Sequence, residues 1–71
     1  MKTTNELLQS LPATILNHIL TITKQEDGWA VMYRNKFSPM VVLEYVKRQK
    51  LHDALDAMYR WLKRKDLIIE R

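Results

Sequence analysis

The sequence predicts a small α+β domain, on three observations. Residues 51–65 carry apolar side chains at helical spacing, and residues 20–34 hold two alternating runs joined at Asp27-Gly28. No cysteine is present, so neither a disulfide framework nor a thiolate zinc site can stand in for a core. The expected architecture is an N-terminal helical segment, a small antiparallel sheet and a C-terminal amphipathic helix packed on that sheet. The 71 residues make one domain of narrow stability, because a chain this short buries only about 60% of its unfolded surface. Core material is nonetheless ample, at 46% hydrophobic residues.

The first residues read as a helix, with Thr4 as N-cap, Glu6 in the first turn and Leu7, Leu8 and Leu11 on one side. Pro12 lies too deep to belong to a first turn and should end or kink this helix. A second short helical stretch follows in the expectation, with Ser10 as its N-cap and Ile15, Leu16, Ile19 and Leu20 spaced to bury. From Leu20 the pattern changes to strict alternation, Leu20-Thr21-Ile22-Thr23-Lys24, which suits a half-buried strand. Asp27-Gly28, holding the only glycine, is a strong hairpin signal because glycine supplies positive φ. The run Trp29 to Arg34 supplies the returning strand.

Residues 35–39 read as a loop. For 40–46, the β-branched content favours a third strand. The rival is a helix with Ser38 as N-cap and Pro39 at the first position. A helix running on to Lys65 is interrupted by the polar stretch Lys47-Arg48-Gln49-Lys50, and the strand is the preferred reading. In the last helix Leu51, Leu55, Met58 and Leu62 form one stripe, flanked by Ala54, Tyr59 and Trp61. Asp53, Asp56, Arg60, Lys63 and Arg64 lie opposite. Leu67-Ile68-Ile69 should pack back on the domain or pair as an edge strand.

The net charge of +4 is unevenly placed. Residues 1–33 hold Lys2 and Lys24 against Glu6, Glu26 and Asp27, whereas ten of the twelve Lys and Arg lie in residues 34–71. Arg34, Lys36, Lys47, Arg48, Lys50, Arg60, Lys63, Arg64 and Lys65 are therefore the candidate nucleic-acid contacts, each able to displace counterions from a phosphate backbone. Local physics also accounts for several of them. Lys63, Arg64 and Lys65 suit the negative end of a helix dipole, and Asp56 reaches Arg60 at i,i+4.

Catalysis is not expected. His18 and His52 are the only histidines, and there is no glycine-rich phosphate loop, G-x-S-x-G or paired-carboxylate motif. His18 reads as a satisfied structural histidine. His52 and Asp56 could share a metal, but a closed site needs more ligands, so no metal and no cofactor are predicted. The aromatics read as core or interface residues, with Tyr59 and Trp61 as the candidate interface. A sheet of so few strands leaves an open edge, which favours a homodimer or a protein partner. Membrane-surface binding by the last helix is disfavoured, because folding uses its apolar face and Asp53 and Asp56 dilute its polar one. Without an apolar run of ~18–20 residues or a signal-peptide core, a cytoplasmic protein is expected. The functional expectation is a non-enzymatic binding or regulatory module acting through protein contacts and self-association; the alternative is a nucleic-acid-binding accessory protein using the basic C-terminal half.

Overall fold

Thr3, one residue earlier than expected, starts the first helix. The computed structural model describes residues 2–68. Helix α1 (Thr4–Ser10) begins in a capping box: Thr3 Oγ1 accepts the Glu6 N–H at 3.2 Å, and Glu6 Oε1 accepts the Thr3 N–H at 3.0 Å. These hydrogen bonds hold the Glu6 carboxyl below its usual range. Leu7 and Leu11 are buried, while Leu8, turned about 100° from Leu7, is exposed. The helix stops before Pro12, as its sequence requires.

The second helical stretch expected from Ser10 does not form. Strand β1 (Thr14–Ile15) turns through Leu16 and Asn17, both at positive φ, into β2 (His18–Gln25). Consecutive positive φ values suit a tight hairpin turn. Ile15 is buried while Leu16 and Ile19 face solvent. The Ile15–Leu20 run is thus split by a turn between two strands, an outcome that the spacing of a short apolar run cannot resolve alone.

Strand β3 (Gly28–Asn35) pairs antiparallel with β2, and Gln25 lies opposite Gly28. The hairpin loop is therefore Glu26-Asp27, and the glycine opens the next strand instead of sitting in the turn. It is still required there. Gly28 has φ +154°, and a Cβ at this position would lie 2.5 Å from the Arg48 carbonyl oxygen.

Strand β4 (Val42–Arg48) confirms the strand reading of the third apolar run, shifted by two residues from 40–46. Lys47 and Arg48 belong to this strand, not to a polar break before the helix. It pairs antiparallel with β3, with a bulge where Tyr33 faces Glu44 and Arg34 faces Val42. The loop before it is an Asx turn, in which Asn35 Oδ1 accepts the N–H groups of Phe37 and Ser38. The sheet order is β1-β2-β3-β4, so β4 is an edge.

Helix α2 (Leu51–Arg64) lies on the same sheet face as α1. Ala54, Leu55, Met58, Tyr59 and Leu62 are buried against Val31, Tyr33 and Val46 of the sheet and Leu7 and Leu11 of the first helix region. The two helices are also joined by a 3.0 Å hydrogen bond between Thr4 Oγ1 and His52 Nδ1. The helix ends in a Schellman motif: Asp66 takes positive φ, and the Leu67 N–H bonds the Leu62 carbonyl at 2.9 Å. Leu67 and Ile68 pack back on the core, as expected of this segment; Ile69 lies outside the described residues. No helix among the described residues is long and apolar enough to cross a membrane.

Candidate functional site

The alternation of β4 distributes its residues over two faces and two edges. Glu44, Val46 and Arg48 lie opposite Tyr33, Val31 and Trp29 and share the face on which α2 packs. Tyr45 and Lys47 lie opposite Met32 and Ala30 on the uncovered face. Because Gln25 and Gly28 bracket a two-residue loop, the even residues of β3 bond β2 and its odd residues bond β4. The Asn35 N–H to Val41 carbonyl bond at 2.9 Å follows that rule. It follows that the backbone N–H and C=O groups of Tyr45 and Lys47 point away from the sheet.

Side chains of the same strand occupy two of these outward groups. The Tyr45 N–H donates to Glu44 Oε1 at 3.0 Å, and Arg48 Nη1 donates to the Lys47 carbonyl at 2.7 Å. Both contacts are exposed. An edge strand with solvent-exposed ladder groups is the ordinary template for a further strand.

Between this edge and α2 runs an open groove of about 800 Å³. One wall is β4, from Glu44 to Val46 with Arg48. The other is the flank of α2 carrying Asp53, Asp56, Ala57, Arg60, Trp61 and Arg64, with Lys63 beside them. Asp56 and Arg60 pair at 3.0 Å. Trp61 is half-buried, resting on the core while bordering the groove.

The candidate cations do not form one strip. Arg48, Arg60, Lys63 and Arg64 meet in the groove, but Glu44, Asp53 and Asp56 share it with them. Lys47, adjacent to Arg48, projects to the other face of the sheet, where it pairs with Asp27 at 2.9 Å. That pairing raises the Lys47 ammonium and lowers the Asp27 carboxyl from their usual ranges. Arg34 is also on the uncovered face, Lys36 is in the β3–β4 loop, and Lys50 and Lys65 are the residues at the two ends of α2.

Of the expected interface pair, only Trp61 reaches the groove. Tyr59 is buried in the core, and the Lys2 and Lys63 ammonium groups stand 5.5 and 5.4 Å from its ring centre. Phe37 and Tyr45 are exposed, so of the core or interface roles expected for the aromatics the core role does not apply to these two. His18 Nδ1 sits 2.7 Å from the Leu16 carbonyl, where it closes the β1–β2 turn. Among the described residues no group of three or more His, Cys, Asp or Glu could hold a metal ion.

Sequence reasoning did not single out Glu44, and it read Tyr45 only as one of the core or interface aromatics. The alternation within residues 44–48 was the available signal, but it carries meaning only once this strand is known to be an edge. Comparisons with protein-family models, curated proteins and solved structures find no significant match to this chain.

Proposed function

We propose that this protein is a small non-enzymatic binding module that acts through protein contacts and takes an extended strand of its partner onto the β4 edge. The observation that carries the reading is the outward backbone of Tyr45 and Lys47 beside the groove bordered by Trp61. Strand addition draws its affinity from such main-chain groups and its specificity from neighbouring side-chain pockets. The groove supports this more than a phosphate backbone, since three carboxylates lie among its four cations.

Sedimentation of the pure protein at low and high salt, with and without a mixed-sequence oligonucleotide, tests the choice. A displayed library of random short peptides then tests the edge. Peptide binding that survives high salt and is lost in Tyr45→Pro, which removes an outward N–H without touching the β3 ladder, is the expected result. Co-sedimentation with the oligonucleotide that disappears at high salt, with no peptide selected, overturns it in favour of the basic C-terminal half binding nucleic acid.

A further inference from the structure

We infer that the strand received by β4 is the β4 of a second copy, in the register that places Glu44 against Arg48 of the partner subunit. This rests on the protein-binding reading of the same edge and adds to it the identity and register of the partner.

The geometry restricts the possibilities. A two-fold dimer through an edge strand pairs it with itself, antiparallel. Only registers that set outward-facing residues opposite one another can form the ladder, so Tyr45 and Lys47 must meet outward residues of the partner subunit. With the two-fold axis at Val46, Tyr45 faces Lys47 of the partner subunit, and each such pair exchanges both N–H···O bonds. On the groove face, the same axis places Glu44 beside Arg48 of the partner subunit, twice by symmetry. Shifting the axis to Tyr45 sets Glu44 against Val46, and shifting it to Lys47 sets Val46 against Arg48. Either shift leaves a charge opposite an apolar side chain, so self-complementarity selects the Val46 axis.

The existing contacts of Glu44 and Arg48 fit this exchange. In the isolated chain, these side chains occupy the outward Tyr45 N–H and Lys47 carbonyl, two of the four backbone groups that the partner strand would bond. Pairing hands those backbone groups to the ladder and frees the carboxylate and the guanidinium for each other. The groove then lies along the dimer seam, and Trp61 and Ala57 of each α2 border it from the two sides. On the uncovered face, Tyr45 comes beside Lys47 of the partner subunit, which keeps its own Asp27.

Charge reversal tests the register. Sedimentation equilibrium should show a wild-type dimer, and Glu44→Arg and Arg48→Glu should each raise its dissociation constant at least tenfold, with far-UV circular dichroism unchanged. An equimolar mixture of the two variants should recover dimerisation, because all pairs across that heterodimer are opposite in sign, and so should the double variant. A misfolded variant could not be rescued by mixing. A wild-type dimer indifferent to both reversals, or variants that mixing does not rescue, overturns the register and leaves the protein-binding reading standing. A wild type that stays monomeric at about 1 mM, weaker than any specific dimer of use, overturns the second copy as partner. The side-chain caps then serve to block the edge, and peptide selection alone decides the protein-binding reading.

Discussion

The hydroxyl of Tyr33, in the centre of the sheet, donates a 2.8 Å hydrogen bond to the carbonyl oxygen of Pro12, just beyond the end of α1. Tyr33 has no solvent exposure. One bond thereby ties the N-terminal segment to β3, one of the two inner strands. It also satisfies a carbonyl in a connection that regular structure leaves unpaired.

Removing that donor should be costly for its size. Tyr33→Phe keeps the ring but leaves the Pro12 carbonyl unmatched, a loss of about 1–2 kcal/mol by denaturant unfolding. A change within error would mean that water reaches the carbonyl as well as the phenol does.

The same residue predicts an alkaline transition. Burial pushes the Tyr33 phenol up from 10.0 to about 12. The native state therefore holds this proton more tightly than the unfolded chain, which loses it first as the pH rises. The contribution is intact below pH 10 and is lost between pH 10 and 12, at about 1.4 kcal/mol per pH unit. Stability curves of wild type and Tyr33→Phe should converge and then cross within this interval, because the pH-linked loss exceeds the cost of the missing hydrogen bond; parallel curves would assign the effect to other groups.

Gly28→Ala should destabilise the protein by at least about 1 kcal/mol. The backbone there has φ +154°, and the new methyl would meet the Arg48 carbonyl oxygen at 2.5 Å. Relief requires β3 and the end of β4 to separate, so amide exchange at Trp29 should rise together with the loss of stability. Slow exchange in a stable variant would rule out the clash.

Leu55 and Leu62 are fully buried between α2 and the sheet. Leu55→Ala or Leu62→Ala should cost about 2–5 kcal/mol, enough to unfold much of a domain this small. A loss under about 1 kcal/mol would place the stripe in solvent and contradict the packing.

Thr3→Ala removes the side-chain half of the capping box and should cost about 1 kcal/mol. Thr4→Ala instead removes the hydrogen bond to His52. If the two losses came out reversed, with Thr4 acting as a cap, the start of α1 would be misplaced by one residue.

How much of this was legible beforehand varied with the length of each signal. The α2 stripe extends over several turns, so its period is unmistakable, and the helix and its buried face appear where the spacing puts them. The stretch from Ser10 to Leu20 is short, and its isoleucines and leucines satisfy a helix or a strand equally well. There the left-handed Leu16-Asn17 turn decided, and it has no glycine to announce it. The basic residues posed a different problem. Lys47 and Arg48 are neighbours in sequence and form one cluster on paper, yet consecutive strand residues point to opposite faces.

By itself the sequence determined the α+β class, a hairpin around Asp27-Gly28 and the helix that closes the core, and it favoured a strand over a helix in the third apolar run, because periodicity and turn chemistry act between residues close in the chain. Only the tertiary structure decided which strand forms the edge, which backbone groups remain outward, and which charges share a groove. Those properties depend on pairing between distant segments: β4 is an edge because no other strand among the described residues pairs with its outer side, and no local pattern within residues 42–48 encodes a missing neighbour.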